Sequence, residues 1–178
     1  TMLRLPVTLA LSAYALVLTM LIGLVSGILA ALRQNTWVDQ AAMVFAMLGI
    51  SLPSFYLGLL MIIVFGVDLR WLPTGGYIAF TDDPLGWLAT STMPAISLAL
   101  LLAGLLARIT RSTMLEVLRQ DFIRTARAKG LPNRTVVMKH ALANALIPIT
   151  TVLGIIVSLL ISGSVVVETL FSIPGIGQ

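Results

Sequence analysis

Apolar residues run in long blocks along this chain, separated by short polar or Gly- and Pro-rich segments. The first block spans Leu5 to Leu32 and is closed by Arg33-Gln34-Asn35-Thr36. The second runs from Gln40 to Val67. The third, less sharply bounded at its start, runs from Met93 to Ala107, and the fourth covers Ala141 to Val167. Apolar runs of about 18 residues or more read as membrane-spanning helices. At 1.5 Å per residue the first block is roughly 40 Å long, enough to cross a ~30 Å hydrocarbon core with tilt or overhang. The pattern predicts an all-α, polytopic membrane helical bundle of four spans, forming one transmembrane domain over residues 1–178.

The connections differ in kind. Residues 68–92 carry Gly75-Gly76 and the aromatics Trp71, Tyr77 and Trp87, which reads as an extramembrane loop with interfacial aromatic anchors. The connection from 113 to 146 is longer than a tight link needs, and it is patterned. Thr113 and Glu116 match a capping box, although the third span could also run straight through them. Leu115, Leu118, Phe122 and Ala126 fall at near-helical spacing, and Glu116–Arg119 and Asp121–Arg124 are i,i+3 pairs. Gly130 suits the left-handed position that ends a helix, and Pro132 blocks continuation. A second helix starting at Pro132 or Asn133 would bury Val137, Ala141 and Leu142. The result is a helix–turn–helix elbow presenting Thr125, Ala126, Ala128 and Gly130 among Arg and Lys.

Composition fixes the class. Hydrophobic types make up 58% of the 178 residues and charged types only 10%, with a mean hydropathy of +1.04. Soluble domains run at about 45–50% apolar, so the chain reads as an integral membrane protein. Its first block is too long for a signal peptide and lacks a small-residue cleavage site. Cysteine is absent and His140 is the single histidine, so neither thiol chemistry nor a histidine metal site is expected, and no metal ligands are assigned.

Charge sets the orientation. Arg108, Arg111, Arg119, Arg124, Arg127, Lys129, Arg134 and Lys139 lie between 108 and 140, opposed only by Glu116 and Asp121, whereas 68–92 holds one Arg and three Asp. The positive-inside rule puts 108–140 in the cytoplasm and the Trp71/Trp87 loop outside. The net charge of +4 then reflects topology rather than nucleic-acid binding. A basic elbow of this kind fits either a loop that hugs anionic lipid or a docking surface for another protein. The residues alone leave both open.

The stretch EVLRQDFIRTARAKGLPNRTVVMKHALANALIPI resembles the cytoplasmic coupling loop of permease subunits of binding-protein-dependent ABC importers, in particular the dipeptide, oligopeptide and nickel branch. Arg124-Thr125-Ala126…Gly130 occupies the place of the family's Glu-Ala-Ala…Gly motif. Arg stands where the wider family has Glu, and the interval from Gly130 to Pro148 is longer than in the sugar and amino-acid branches; both are habits of the peptide/nickel branch. Residues 51–62 (SLPSFYLGLLMI), 71–76 (WLPTGG), 93–100 (MPAISLAL), 107–118 and 165–178 (VVVETLFSIPGIGQ) are similar to the same branch.

The resemblance implies a MetI-like transmembrane domain of a type I importer in the bacterial cytoplasmic (inner) membrane. Family members carry further spans on both sides of this stretch. It implies a second homologous permease, two ATP-binding subunits, an external solute-binding protein and surrounding lipid as partners, with no nucleic acid. Arg124, Thr125, Ala126, Lys129, Gly130 and Leu131 would form the ATPase-coupling surface. The carried solute would be a di- or oligopeptide, or alternatively nickel or another small solute.

The chain has no G-x-x-x-x-G-K-[ST] phosphate loop, so no enzymatic activity is expected of it; ATP and Mg²⁺ would sit on partner subunits, with no cofactor here. The four blocks hold no Asp, Glu, Lys, Arg or His, which disfavours a passive channel or an ion-coupled secondary transporter. Candidates for the pathway are Ser51, Pro53 and Ser54, where a kink could equally serve packing. Gly23 and Gly27, and Ser162-Gly163-Ser164, read as close-packing sites. Glu168, before Pro174 and Gly175, reads either as a solvated interfacial charge or as part of an external gate.

Overall fold

A computed structural model describes residues 4–177; residues 1–3 and 178, at the ends of the chain, lie outside them. Six helices make up the described fold: α1 (Leu5–Leu32), α2 (Trp37–Ser51), α3 (Ser54–Asp68), α4 (Pro84–Leu118), α5 (Asp121–Ala128) and α6 (Asn133–Leu170). α3 winds as a π-helix from Ile62, and α6 does so between Val136 and Ala141. Three of the helices, α1, α4 and α6, are each long and apolar enough to cross a membrane.

α4 is the central post, packed against α1, α2, α3 and α6. Of its apolar window 61% is buried, against 22% for α6, which turns most of its apolar surface outward. Small residues let the backbones approach. A Cβ on Gly27 would stand 2.6 Å from the Ala107 carbonyl oxygen, and one on Gly49 2.7 Å from that of Leu100. Gly23 likewise meets Leu106 and the Ala103 carbonyl. The Gly23/Gly27 pair is thus the seam between α1 and α4, as its spacing implies. Gly163 has only Leu98 near it, at ordinary contact distance, so it makes no such seam.

Three boundaries differ from the hydropathy pattern. The second apolar block is not one helix: α2 and α3 meet at 99°. Pro53 lacks an N–H and its ring pushes Leu52 out of helical geometry (φ −100°, ψ 124°). The break satisfies itself, since the Pro53 carbonyl accepts from the N–H groups of Tyr56 and Leu57.

The third block begins well before Met93, because Asp83 caps α4 by accepting from Leu85 N–H at 3.0 Å. Pro84 occupies the first turn, where no N–H is needed. The Thr- and Ser-rich stretch that hid this start satisfies its hydroxyls on its own helix, as Thr90 does on the Gly86 carbonyl. Trp87 is consequently no loop anchor. It is 8% exposed and packs between Tyr14 and Phe80, with centroids 5.3 and 5.5 Å away. Trp71 remains exposed, as an anchor would be. Finally, α4 runs straight through Thr113 and Glu116, so the capping box is not used.

Candidate functional site

The elbow is built by α5, a four-residue turn and the start of α6. α4 breaks at Arg119-Gln120, which resets the helical phase, so Leu115 and Leu118 do not continue their stripe into Phe122. Instead Ile123 (0% exposed) and Ala126 point into the protein while Phe122 is turned out. Ala126 is therefore not presented as a docking residue. Arg124, Thr125, Ala128, Lys129, Gly130 and Leu131 are exposed. Of the two expected i,i+3 pairs only Asp121–Arg124 forms, at 3.5 Å and fully in solvent, where such a pair contributes little.

Gly130 does what its position demands. It takes φ +77°; its N–H donates to the Arg127 carbonyl, and Leu131 N–H reaches back to the Ala126 carbonyl. Those two bonds close a Schellman turn and satisfy the last carbonyls of α5. Pro132 then caps α6 by accepting from Thr135 and Val136 N–H groups. Ile123, Ala126, Val136 and Val137 belong to the same apolar core as Met114 and Val117 of α4. The elbow is a continuation of the bundle's core, not an appended loop.

Beside the elbow lies an ion pair that the sequence pattern does not reveal. Asp39, in the first turn of α2, is 3% exposed. Arg111 of α4 grips it with two parallel bonds, Nε to Oδ1 at 2.5 Å and Nη2 to Oδ2 at 2.6 Å, and Asn35 N–H adds a third to Oδ2 at 2.9 Å. Asp39 reads naturally as a solvated loop residue just outside the second apolar block. An acid at a helix N-terminus is a weak signal, and its partner lies 72 positions away.

The opposite end carries Glu168. It is not a solvated charge: it is 0% exposed. Its Oε2 accepts from Gly177 N–H at 2.9 Å, Oε1 has no partner, and Gly175 sits so close that a Cβ there would strike the carboxylate. Residues 172–177 fold back over α6 as a strap. Ser172 takes the left-handed conformation (φ +54°), and Ile173 N–H returns to the Glu168 carbonyl. Ile176 N–H donates to Thr8 of α1 at 3.1 Å, and Gly76 N–H from the 69–83 loop donates to the Phe171 carbonyl. The structure thus brings Glu168 and Gly175 together, with Pro174 exposed on the strap. Ser51, Pro53 and Ser54 form the α2–α3 corner, one turn before Gly58, which packs against Leu170 and Phe171; Ser51 spends its hydroxyl on the Met47 carbonyl.

With this geometry in hand, the comparisons with known proteins decide the family. Residues 23–178 match the family described as "binding-protein-dependent transport system inner membrane component". The chain belongs to that family. It is 50% identical over 175 residues to a putative peptide transport system permease protein of Brucella suis biovar 1, covering 98% of this chain and 56% of that protein. It is 44% identical over 173 residues to the oligopeptide transport system permease protein OppB of Salmonella typhimurium, covering 97% of this chain and 55% of that one. The chain spans little more than half the length of the curated relatives it matches. Family membership agrees with a helical membrane protein in which α1, α4 and α6 are long and apolar enough to span, with the bent α2–α3 pair as either a broken span or a re-entrant loop.

Proposed function

We propose that this chain is the pathway-forming part of a permease subunit in an ATP-driven peptide importer, and that α5 and its Gly130 turn receive the push from an ATP-binding subunit. The observation that carries this reading is the shared core of elbow and bundle. Ile123 and Ala126 of α5 belong to the same core as Val136 of α6 and Met114 of α4, so a force on α5 would be passed into the bundle. A lipid-hugging loop requires charge but no such packing. The exposed Arg124, Thr125, Lys129, Gly130 and Leu131 would form the contact.

The other parts follow from the same reading. A second homologous permease would cover the apolar outer face of part of the bundle, and two ATP-binding subunits would hold the ATP and Mg²⁺. An external solute-binding protein would deliver the solute near the strap of Glu168, Pro174 and Gly175. That strap joins α1, α6 and the 69–83 loop, so it would have to yield when the pathway opens on its side. The positive-inside rule puts the elbow in the cytoplasm. Peptides are favoured over nickel because the relatives' names specify peptide or oligopeptide transport.

The test is reconstitution of the full-length permease with its partner subunits and binding protein in proteoliposomes. Uptake of labelled di- and oligopeptides is expected to require ATP and the binding protein. ATP-dependent nickel uptake without peptide uptake would replace the substrate; uptake of either without ATP would sink the importer reading.

A further inference from the structure

Between the end of α1, the end of α4 and the elbow lies a polar cavity of about 300 Å³. Four elements supply its polar lining: Gln34 after α1, Arg119 after α4, Arg127 in the last turn of α5, and Asn133 opening α6. Leu118 and Val137 form part of its apolar wall. Among the described residues the salt bridges use Arg111 and Arg124, so neither Arg119 nor Arg127 has a carboxylate partner. Glu116, the acid nearest to Arg119 in sequence on α4, is exposed and unpaired with it. Both arginines are exposed, and two cationic side chains lining one cavity are best accommodated with an anion between them. Arginine's planar fork suits phosphate, binding it through two bonds at once. The first turn of α6 adds the positive end of a 38-residue helix at Asn133.

We infer that this cavity binds a phosphate-bearing anion, held between Arg119 and Arg127 with the amides of Gln34 and Asn133, and that its natural source is the headgroup of an anionic phospholipid. The apolar wall distinguishes the lipid from a free ion. Val25, Leu29 and Leu32 are each between 43% and 52% exposed and form a stripe along α1 that ends at the cavity. An acyl chain can lie on that stripe while its phosphate sits between the arginines. Basic pockets between membrane helices on the cytoplasmic side hold anionic headgroups for the same reason. On the orientation proposed above, this cavity faces the cytoplasmic leaflet. The bound headgroup would then wedge α1 against the elbow and set the elbow's resting position.

The experiment uses the full-length permease assembled with its partners in nanodiscs. Phosphatidylglycerol is titrated into a phosphatidylcholine background, and retained lipid is counted by native mass spectrometry. The R119Q/R127Q double variant is expected to weaken phosphatidylglycerol retention by about 30-fold, the effect of two surface-region arginines, with phosphatidylcholine unchanged. R119K/R127K should recover part of it. Arg134→Gln, exposed but not lining the cavity, should leave retention intact. Inorganic phosphate is titrated against the lipid-free detergent complex as a second arm. If it binds there with the same Arg119 and Arg127 dependence while phosphatidylglycerol retention in nanodiscs is the same in wild type and the double variant, the anion site stands but its source is the free ion.

Equal lipid retention in wild type and the double variant, with no phosphate binding, overturns the inference. So does an equal loss in Arg134→Gln, which would indicate diffuse charge. If the double variant instead sheds the ATP-binding subunits while keeping its lipid, the arginines pair with protein carboxylates and the inference fails. Peptide uptake is read separately, on the same complexes reconstituted into proteoliposomes. A wild-type complex that holds the lipid but transports nothing would refute the importer reading alone.

Discussion

Replacing Asp39 with Ala is expected to lower the unfolding free energy by about 3 kcal/mol, the low end of the cost of breaking a buried ion pair. Asp39 is almost fully buried, whereas the Arg111 side chain keeps 24% of its exposure; water can therefore relieve part of the orphaned charge. What the variant loses is two parallel charge-assisted bonds and the bond that fixes Asn35. What it leaves is a guanidinium between α2 and α4 with no acceptor. Removing both partners is less harmful than removing one, because a stranded charge costs more than the bonds that are lost with it. The Asp39→Ala/Arg111→Met double variant should therefore be more stable than Asp39→Ala alone. Equilibrium unfolding of the four species in detergent completes the cycle. A coupling of about 2 kcal/mol or more is expected; a value below about 0.5 kcal/mol would mean the pair is ornamental.

The second large effect belongs to Gly130. A Cβ at this position meets nothing within 4 Å, so a substitution there creates no clash with neighbours and acts through the backbone alone. The left-handed conformation costs an L-residue roughly 1–2 kcal/mol, and a β-branched residue is a still poorer occupant. Gly130→Ile is expected to open the Schellman turn, release the Ala126 and Arg127 carbonyls and let α5 swing. Insertion and overall folding should persist, since α1, α4 and the rest of α6 do not depend on this turn. ATP-dependent peptide uptake should fall at least tenfold, with ATP hydrolysis no longer answering to the binding protein. Gly130→Asn should retain most uptake, because Asn tolerates the left-handed region. That contrast separates conformation from surface: if Ile and Asn behave alike, the turn's geometry is not what matters.

Much of the fold was legible because lipid leaves few alternatives. Long apolar blocks must be helices, since no water satisfies the backbone inside the membrane, and Gly130-x-Pro132 marks a helix stop by steric rule. The elbow's existence followed from those signals, but its facing did not. A two-residue break at Arg119-Gln120 resets the helical phase, and no periodicity count extends across it; hence Phe122 points out and Ile123 in. The start of α4 was hidden by Thr and Ser that satisfy themselves on their own helix, so hydropathy undercounts them, although Asp83-Pro84 is a readable start signal. Asp39–Arg111 was not legible, because its chemistry is a meeting of two distant positions. Glu168 looked ordinary because a carboxylate followed by a turn is usually solvated. Its burial depends on residues 172–177 folding back, which no local pattern encodes.

The central claim is that the outward face of α5 touches an ATP-binding subunit, and cross-linking tests it most directly. This stretch of the chain contains no cysteine, so a single Cys can be placed within it without background. Ala128→Cys sits on the exposed face of α5, and Ala126→Cys, at 7% exposure, on its inner face. In the assembled full-length complex with other cysteines removed, Ala128→Cys should cross-link to the ATP-binding subunit with a yield that changes when a non-hydrolysable nucleotide is added. Ala126→Cys should stay unlinked. Failure of Ala128→Cys to link to that subunit, with labelling instead by a lipid-phase reagent, would show that the elbow lies on the membrane and transmits nothing.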